Sequence, residues 1–121
     1  MTQSPNPKPH DLEERTYQLA RVCREFVKKL PRTICNIEDG KQLVRSSGSM
    51  AANYIEANES ISRKDFALRV KIARKEAKES RLWLRLCEVE EERASEDARK
   101  KLIAEAVEFG KIFGSILAIT K

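Results

Sequence analysis

The chain has 121 residues, with 24 Lys and Arg against 19 Asp and Glu for a net charge of +5, and only four Gly and four Pro. That length fits one domain, and a chain rich in Ala, Leu, Ile, Glu, Lys and Arg loses little rotamer freedom in helices, so the composition predicts an all-α fold and gives β-structure little support. No run of uncharged apolar residues approaches the ~18 needed to cross a bilayer, and MTQSPNPKPHD lacks the apolar core of a secretory signal, so the expected location is cytoplasmic with no membrane partner.

Pro5, Pro7 and Pro9 deny the backbone its donors, and residues 1–10 are expected to form a flexible tail ahead of a bundle domain at 11–121. Asp11 with Glu14 three residues on resembles a capping box. Leu12, Thr16, Leu19, Cys23, Phe26 and Leu30 then recur at helical spacing until Pro31, which predicts a first helix over 11–30. Its other side gathers Tyr17, Arg21, Arg24 and Lys28 within roughly 60° of arc. That face is expected to be solvated, although an aromatic among cations also suits phosphate and base contacts.

A second helix is predicted over 38–58, with Leu43, Ser47, Met50, Tyr54 and Ile61 as its core line and Val44, Gly48, Ala51 and Ile55 beside it. The turns around Ser46, Ser47, Gly48 and Ser49 are small enough for a neighbouring backbone to come close. A phosphate-binding loop is the alternative for Gly48, but no Gly-Lys-Ser/Thr follows it.

Ser62, with Asp65 three residues later, caps a third predicted helix over 63–90. One face carries Phe66, Val70, Ala73, Ala77, Ser80, Leu84 and Cys87, and a roughly opposite one carries Leu68, Ile72, Leu82, Trp83 and Leu86. A monomeric bundle needs only one apolar face per helix, so the second wants a partner. Between the two lies the densest cationic stripe in the chain, Lys71, Arg74, Lys78, Arg81 and Arg85, within about 80° of arc. Ser95 is expected to cap a fourth helix whose core line is Leu102, Ala106, Phe109, Phe113 and Ile116. Ile103, Val107, Gly110 and Gly114 widen its apolar arc past half the circumference, which predicts burial on two sides and close helix contact at the glycines.

Chemistry has few candidates. His10 is the only histidine and falls in the expected tail, so Ser/His, Cys/His and His-rich metal sites have no ordered member. The Glu76 and Glu79 pair lacks the Glu-x-x-His partners of a di-iron bundle site, and the two are expected to bind Arg45 or Lys75 or to cross to a neighbouring subunit. Cys23, Cys35 and Cys87 are odd in number, stand at no metal-ligand spacing and are expected to be buried small hydrophobes. The expectation is a protein without catalytic residues, metal or cofactor.

The stretch from Arg45 through Ser46, Ser47, Gly48, Ser49, Met50, Asn53 and Tyr54 to Ala57, then Asp65 and Phe66, then Ile72 to Leu84 with Glu76, Glu79, Ser80 and Trp83, closely resembles the bacterial four-helix bundle proteins also called 23S rRNA intervening-sequence (S23) proteins. The segment from Leu102 to Thr120 is similar in pattern. Met50 stands where the family usually has Ile or Val, and Leu82 where an aromatic commonly precedes the Trp. The resemblance implies an up-down-up-down four-helix bundle that assembles into a closed homopentamer. It also implies an association with rRNA insertions, or with retroelements whose related proteins bind nucleic acid and a reverse transcriptase, and no assigned activity for most members.

Two functional classes stay open. One is a non-catalytic oligomer that binds structured RNA or DNA through Lys71, Arg74, Lys78, Arg81 and Arg85, a stripe that five copies would repeat on a ring of net charge about +25. In that class the opposing outcome is a stripe consumed by structural ion pairs. The other is an assembly module that recruits a protein partner without nucleic acid. In both, Leu68, Ile72, Trp83, Leu86, Ile103, Val107, Gly110 and Gly114 are the expected subunit interface.

Overall fold

The computed structural model describes residues 9–91 and 93–120. They form four helices: α1 (Pro9–Lys28), α2 (Ile34–Asn58), α3 (Arg63–Leu86) and α4 (Arg93–Ile119). Each packs on its chain neighbours, α4 closes back onto α1, and the diagonal pairs keep their backbones apart and meet only through core side chains such as Tyr54 and Phe113, which is the arrangement of an all-α, up-down-up-down bundle. No described helix is long and apolar enough to cross a membrane.

The boundaries differ from the periodicity in instructive ways. α1 begins at Pro9, a residue suited to a first helical turn because its missing N–H would have no intrahelical partner there. His10 therefore belongs to that first turn, while the rest of the expected tail, residues 1–8, lies outside the described residues. α2 starts four residues earlier than expected because Thr33 caps it, its side chain accepting from the Asn36 N–H at 3.1 Å. α3 is capped by Ser62 as expected, Oγ accepting from the Asp65 N–H at 3.1 Å, but stops at Leu86.

That stop is made by Asn36, only 3% exposed. Its Nδ2 donates to the carbonyls of Pro31 at 2.9 Å and Glu88 at 2.8 Å, and its Oδ1 accepts from the Glu88 N–H at 2.8 Å. The Glu88 backbone bonds to a side chain in place of the helix ladder, and Arg99 donates to the Cys87 carbonyl beside it. One asparagine thus ties the α1–α2 connection to the α3–α4 connection. α4 begins at Arg93, which puts Ser95 inside the first turn instead of at the cap.

Among the residues expected to build the core, Leu19, Phe26, Leu43, Met50, Tyr54, Val70, Ala73, Leu84, Phe109 and Phe113 are buried. Phe66 and Ile116 are half-buried and pack against the same cluster. Ile61 is not a core residue: it sits in the α2–α3 turn, 97% exposed, because α2 ends at Asn58 and its periodicity no longer applies there. Cys23 and Cys87 are buried, but Cys35 lies exposed in the first turn of α2, against the expectation.

α2 and α3 share the broadest contact, and the small residues explain it. Ser46 and Ser47 are fully buried, and the Ser46 and Ser80 hydroxyls bond across the seam at 2.8 Å. The thin α1–α4 seam is held by Arg15, whose guanidinium lies 5.0 Å from the Phe109 ring centroid while it forks to Glu105 at 2.9 and 2.8 Å.

Candidate nucleic-acid interface

Acid–base pairs occupy two of the seams. On α3 the carboxylates turn toward α2, where Arg45 donates to Glu76 at 2.9 Å and to Glu79 at 3.2 Å. On α4, Glu105 turns toward α1 and pairs with Arg15, whose guanidinium is held above its ordinary pKa first by that hydrogen bond and also by the nearby Glu108. The α3–α4 seam is left to the cations.

Two adjoining hollows of about 760 Å³ each run along it. Lys71, Arg74 and Lys78 line one, and Arg74, Lys78 and Arg81 line the other. Lys75 and Lys111 add to the set, and among the described residues no carboxylate lines either hollow. From Lys71 to Arg81 the stripe spans about 15 Å of helix. Lys71, Arg74, Lys78 and Arg81 form no hydrogen bond or ion pair among the described residues, so none of these four charges is paired there, whereas Lys75 stands near enough to Glu79 to favour its charged form.

The floor comes from α4. Val107, Gly110 and Gly114, expected at a subunit contact, line the second hollow together with the cations. The Arg74 guanidinium reaches across to 3.7 Å from where a Cβ on Gly114 would stand, whereas a Cβ on Gly110 would meet nothing within 4 Å. The close contact expected at Gly110 is therefore absent among the described residues. Its lack of a side chain leaves the groove open.

Arg85 does not join the stripe. It lines a separate recess at the end of the bundle with Glu88, Glu90, Glu91 and Glu96, because α3 ends there and the acidic connection folds beside it. Of the other residues expected at a subunit contact, Leu68 and Leu86 are exposed on the outer side of α3, along with Leu82. Ile72 is half-buried. Trp83 and Ile103 pack against the chain's own core, and the Trp83 indole N–H is enclosed. On α1, Arg24 folds back onto the Ala20 carbonyl and Lys28 pairs with Glu25, so the face beside Tyr17 presents less free charge than the groove.

Neither buried thiol is placed to act as a nucleophile. Burial pushes the Cys23 thiol up to about 12 and the Cys87 thiol up to about 11, which leaves both protonated at neutral pH. Among the described residues no group of three or more His, Cys, Asp or Glu could hold a metal ion.

Glu76, 3% exposed, and Glu79 act as a structural clamp on Arg45. Burial alone would raise the Glu76 carboxyl, but the neighbouring Ser49 and Glu79 together with the Arg45 hydrogen bond outweigh it and hold it below the usual range, while Glu79 is raised, first by the neighbouring Glu76; the other Glu76 oxygen, Oε1, is buried with no hydrogen-bond partner among the described residues. The signs are opposite. Glu76 stabilises the fold above the usual carboxylate range and that contribution is lost as pH falls through its lowered value; the smaller, more exposed Glu79 effect is present in acid and lost as pH rises through its raised value. Glu76→Gln should cost about 1–3 kcal/mol at pH 7 in urea unfolding, and the gap to the parent should close as pH falls below the usual carboxylate range. A gap that stays constant down to pH 3 would show that the charge of Glu76 contributes nothing.

Residues 10–115 match the family described as 23S rRNA-intervening sequence protein. A crystal structure of a protein of unknown function from the S23 ribosomal protein family of Bacteroides thetaiotaomicron is similar at a TM-score of 0.76 and 25% identity, over 93% of this chain and 99% of that one. Among curated proteins none matches. Four helices in this order, with the Arg45, Glu76 and Ser80 seam at their centre and a family match over most of its length, place the chain in the 23S rRNA-intervening sequence protein family.

Proposed function

We propose that this protein is a non-catalytic, cytoplasmic homo-oligomer that binds structured nucleic acid through the α3–α4 groove. The observation that carries the reading is the segregation of charge: Lys71, Arg74, Lys78 and Arg81 share a groove with no carboxylate in its lining and have no partner among the described residues. The family's description, which names an intervening sequence of 23S rRNA, favours RNA as the polyanion. Contacts of this kind neutralise phosphates and read no bases, so binding is tolerant of sequence.

Four such contacts give log K a slope against log salt of about −3.6 on a duplex, or a loss of affinity on the order of a hundredfold between 50 and 200 mM salt. Fluorescence anisotropy with a labelled RNA hairpin measures it. An affinity independent of salt would exclude the groove as a phosphate site.

Assembly, as a closed ring and most simply a pentamer, draws on Leu68, Leu82 and Leu86, exposed on the outer side of α3. Because Trp83 packs into its own bundle, the informative variant is Leu82→Asp with Leu86→Asp. Light scattering should report a smaller particle with unchanged helicity; a parent that is already monomeric at micromolar concentration removes the assembly claim. The same leucines favour the second reading, a module that recruits a protein partner, and a purified oligomer free of nucleic acid but bound to protein would support it.

A further inference from the structure

The chain has four Phe, two Tyr and one Trp. Phe26, Phe109, Phe113 and Tyr54 are buried, and Phe66 and Trp83 pack against the core. Tyr17, 52% exposed, is on α1, the helix diagonally opposite α3. Among the described residues no aromatic ring lines the α3–α4 groove, and neither does any Asn or Gln able to pair with a base edge.

Unstacked single strands are held by a basic groove together with aromatic platforms on which the bases stack. A double helix keeps its bases stacked on each other, carries twice the linear charge density once both strands are counted, and releases more counterions per phosphate contact. The groove supplies cations and an open floor at Gly110, which is all that a phosphate ridge requires. Resting on the nucleic-acid reading above, we infer that the groove takes the sugar–phosphate edge of a double helix and discriminates against unpaired strands.

The test is fluorescence anisotropy on the intact protein with a blunt 20-base-pair RNA duplex, a DNA duplex of the same sequence, and the RNA top strand alone, chosen to be unstructured. At 50 mM salt the RNA duplex should bind at least tenfold more tightly than its strand. The DNA duplex shows whether the ridge is read as RNA or as phosphate generally, and its binding within threefold of the RNA duplex assigns the groove to both. Gly110→Leu, which fills open space on the groove floor, should weaken duplex binding at least fivefold with no loss of thermal stability, while Tyr17→Ala should leave it unchanged. A strand that binds as tightly as the duplex, or loses affinity with Tyr17→Ala, overturns this inference and leaves the nucleic-acid reading standing. Failure of all three probes to bind at 50 mM salt overturns both.

Discussion

Phe113→Ala will lower the stability of the bundle by about 3–5 kcal/mol. The ring is fully enclosed, with its centroid 5.6 Å from that of Tyr54 on α2 and 5.8 Å from that of Phe109 one turn earlier on α4. Removing it strips dispersion contacts from both rings and leaves a cavity in the middle of a helical bundle whose neighbours cannot collapse without breaking the α1–α4 seam, where Arg15 rests on Phe109. Urea unfolding followed by circular dichroism, at fixed protein concentration because the proposed assembly would be linked to folding, gives the value. A loss below about 1 kcal/mol would mean that Phe113 does not sit at the centre of the core.

Asn36→Ala comes next, at about 2–4 kcal/mol. The side chain satisfies two carbonyls and one N–H from two different connections, and alanine leaves those backbone groups facing a site too enclosed for each to find water. Asn36→Asp is the sharper control, since its carboxylate keeps the acceptor for the Glu88 N–H but confronts the Pro31 and Glu88 carbonyls with negative charge. It should be at least as destabilising as alanine. If either variant unfolds at the parent's urea concentration, the asparagine bridge contributes nothing to the fold.

The two substitutions fall on opposite sides of what could be read from the chain. Phe113 was legible because it repeats with Leu102, Ala106 and Phe109 at helical spacing, and burial follows from that periodicity. Asn36 was not, since its role depends on Glu88, 52 residues away, and no local pattern reports a partner at that distance. The same connection misled the reading of α3: Cys87 to Glu90 continue a helical pattern, yet the backbone leaves it for a side chain that comes from α2. Ile61 failed for a simpler reason, because a period extended past a helix end places a turn residue in the core.

For the groove, the α3 stripe was visible as an arc of cations, and residue type offered Arg45 only as one of three possible partners for Glu76 and Glu79, beside Lys75 and a neighbouring subunit. Which neighbour each face meets was not. Helical spacing gives the angle of Lys71 or Gly110 about its own axis and says nothing of the other helix, so the cations of α3 and the glycines of α4 were assigned to separate surfaces when they line one. Lys111 was passed over for the same reason. It interrupts an apolar arc in sequence, and only the packing of α4 on α3 turns it toward the stripe.

The groove as a phosphate site is tested most directly by the salt dependence of RNA binding in the double variant Arg74→Glu, Arg81→Glu, compared with the parent by anisotropy from 50 to 300 mM salt. Each lost phosphate contact lowers the slope of log K against log salt by about one, so the double variant should bind more weakly at every concentration with a slope smaller by about two, while light scattering gives the parent's particle mass. A double variant that keeps both the parent's affinity and its slope places the nucleic acid elsewhere on the protein and contradicts this assignment.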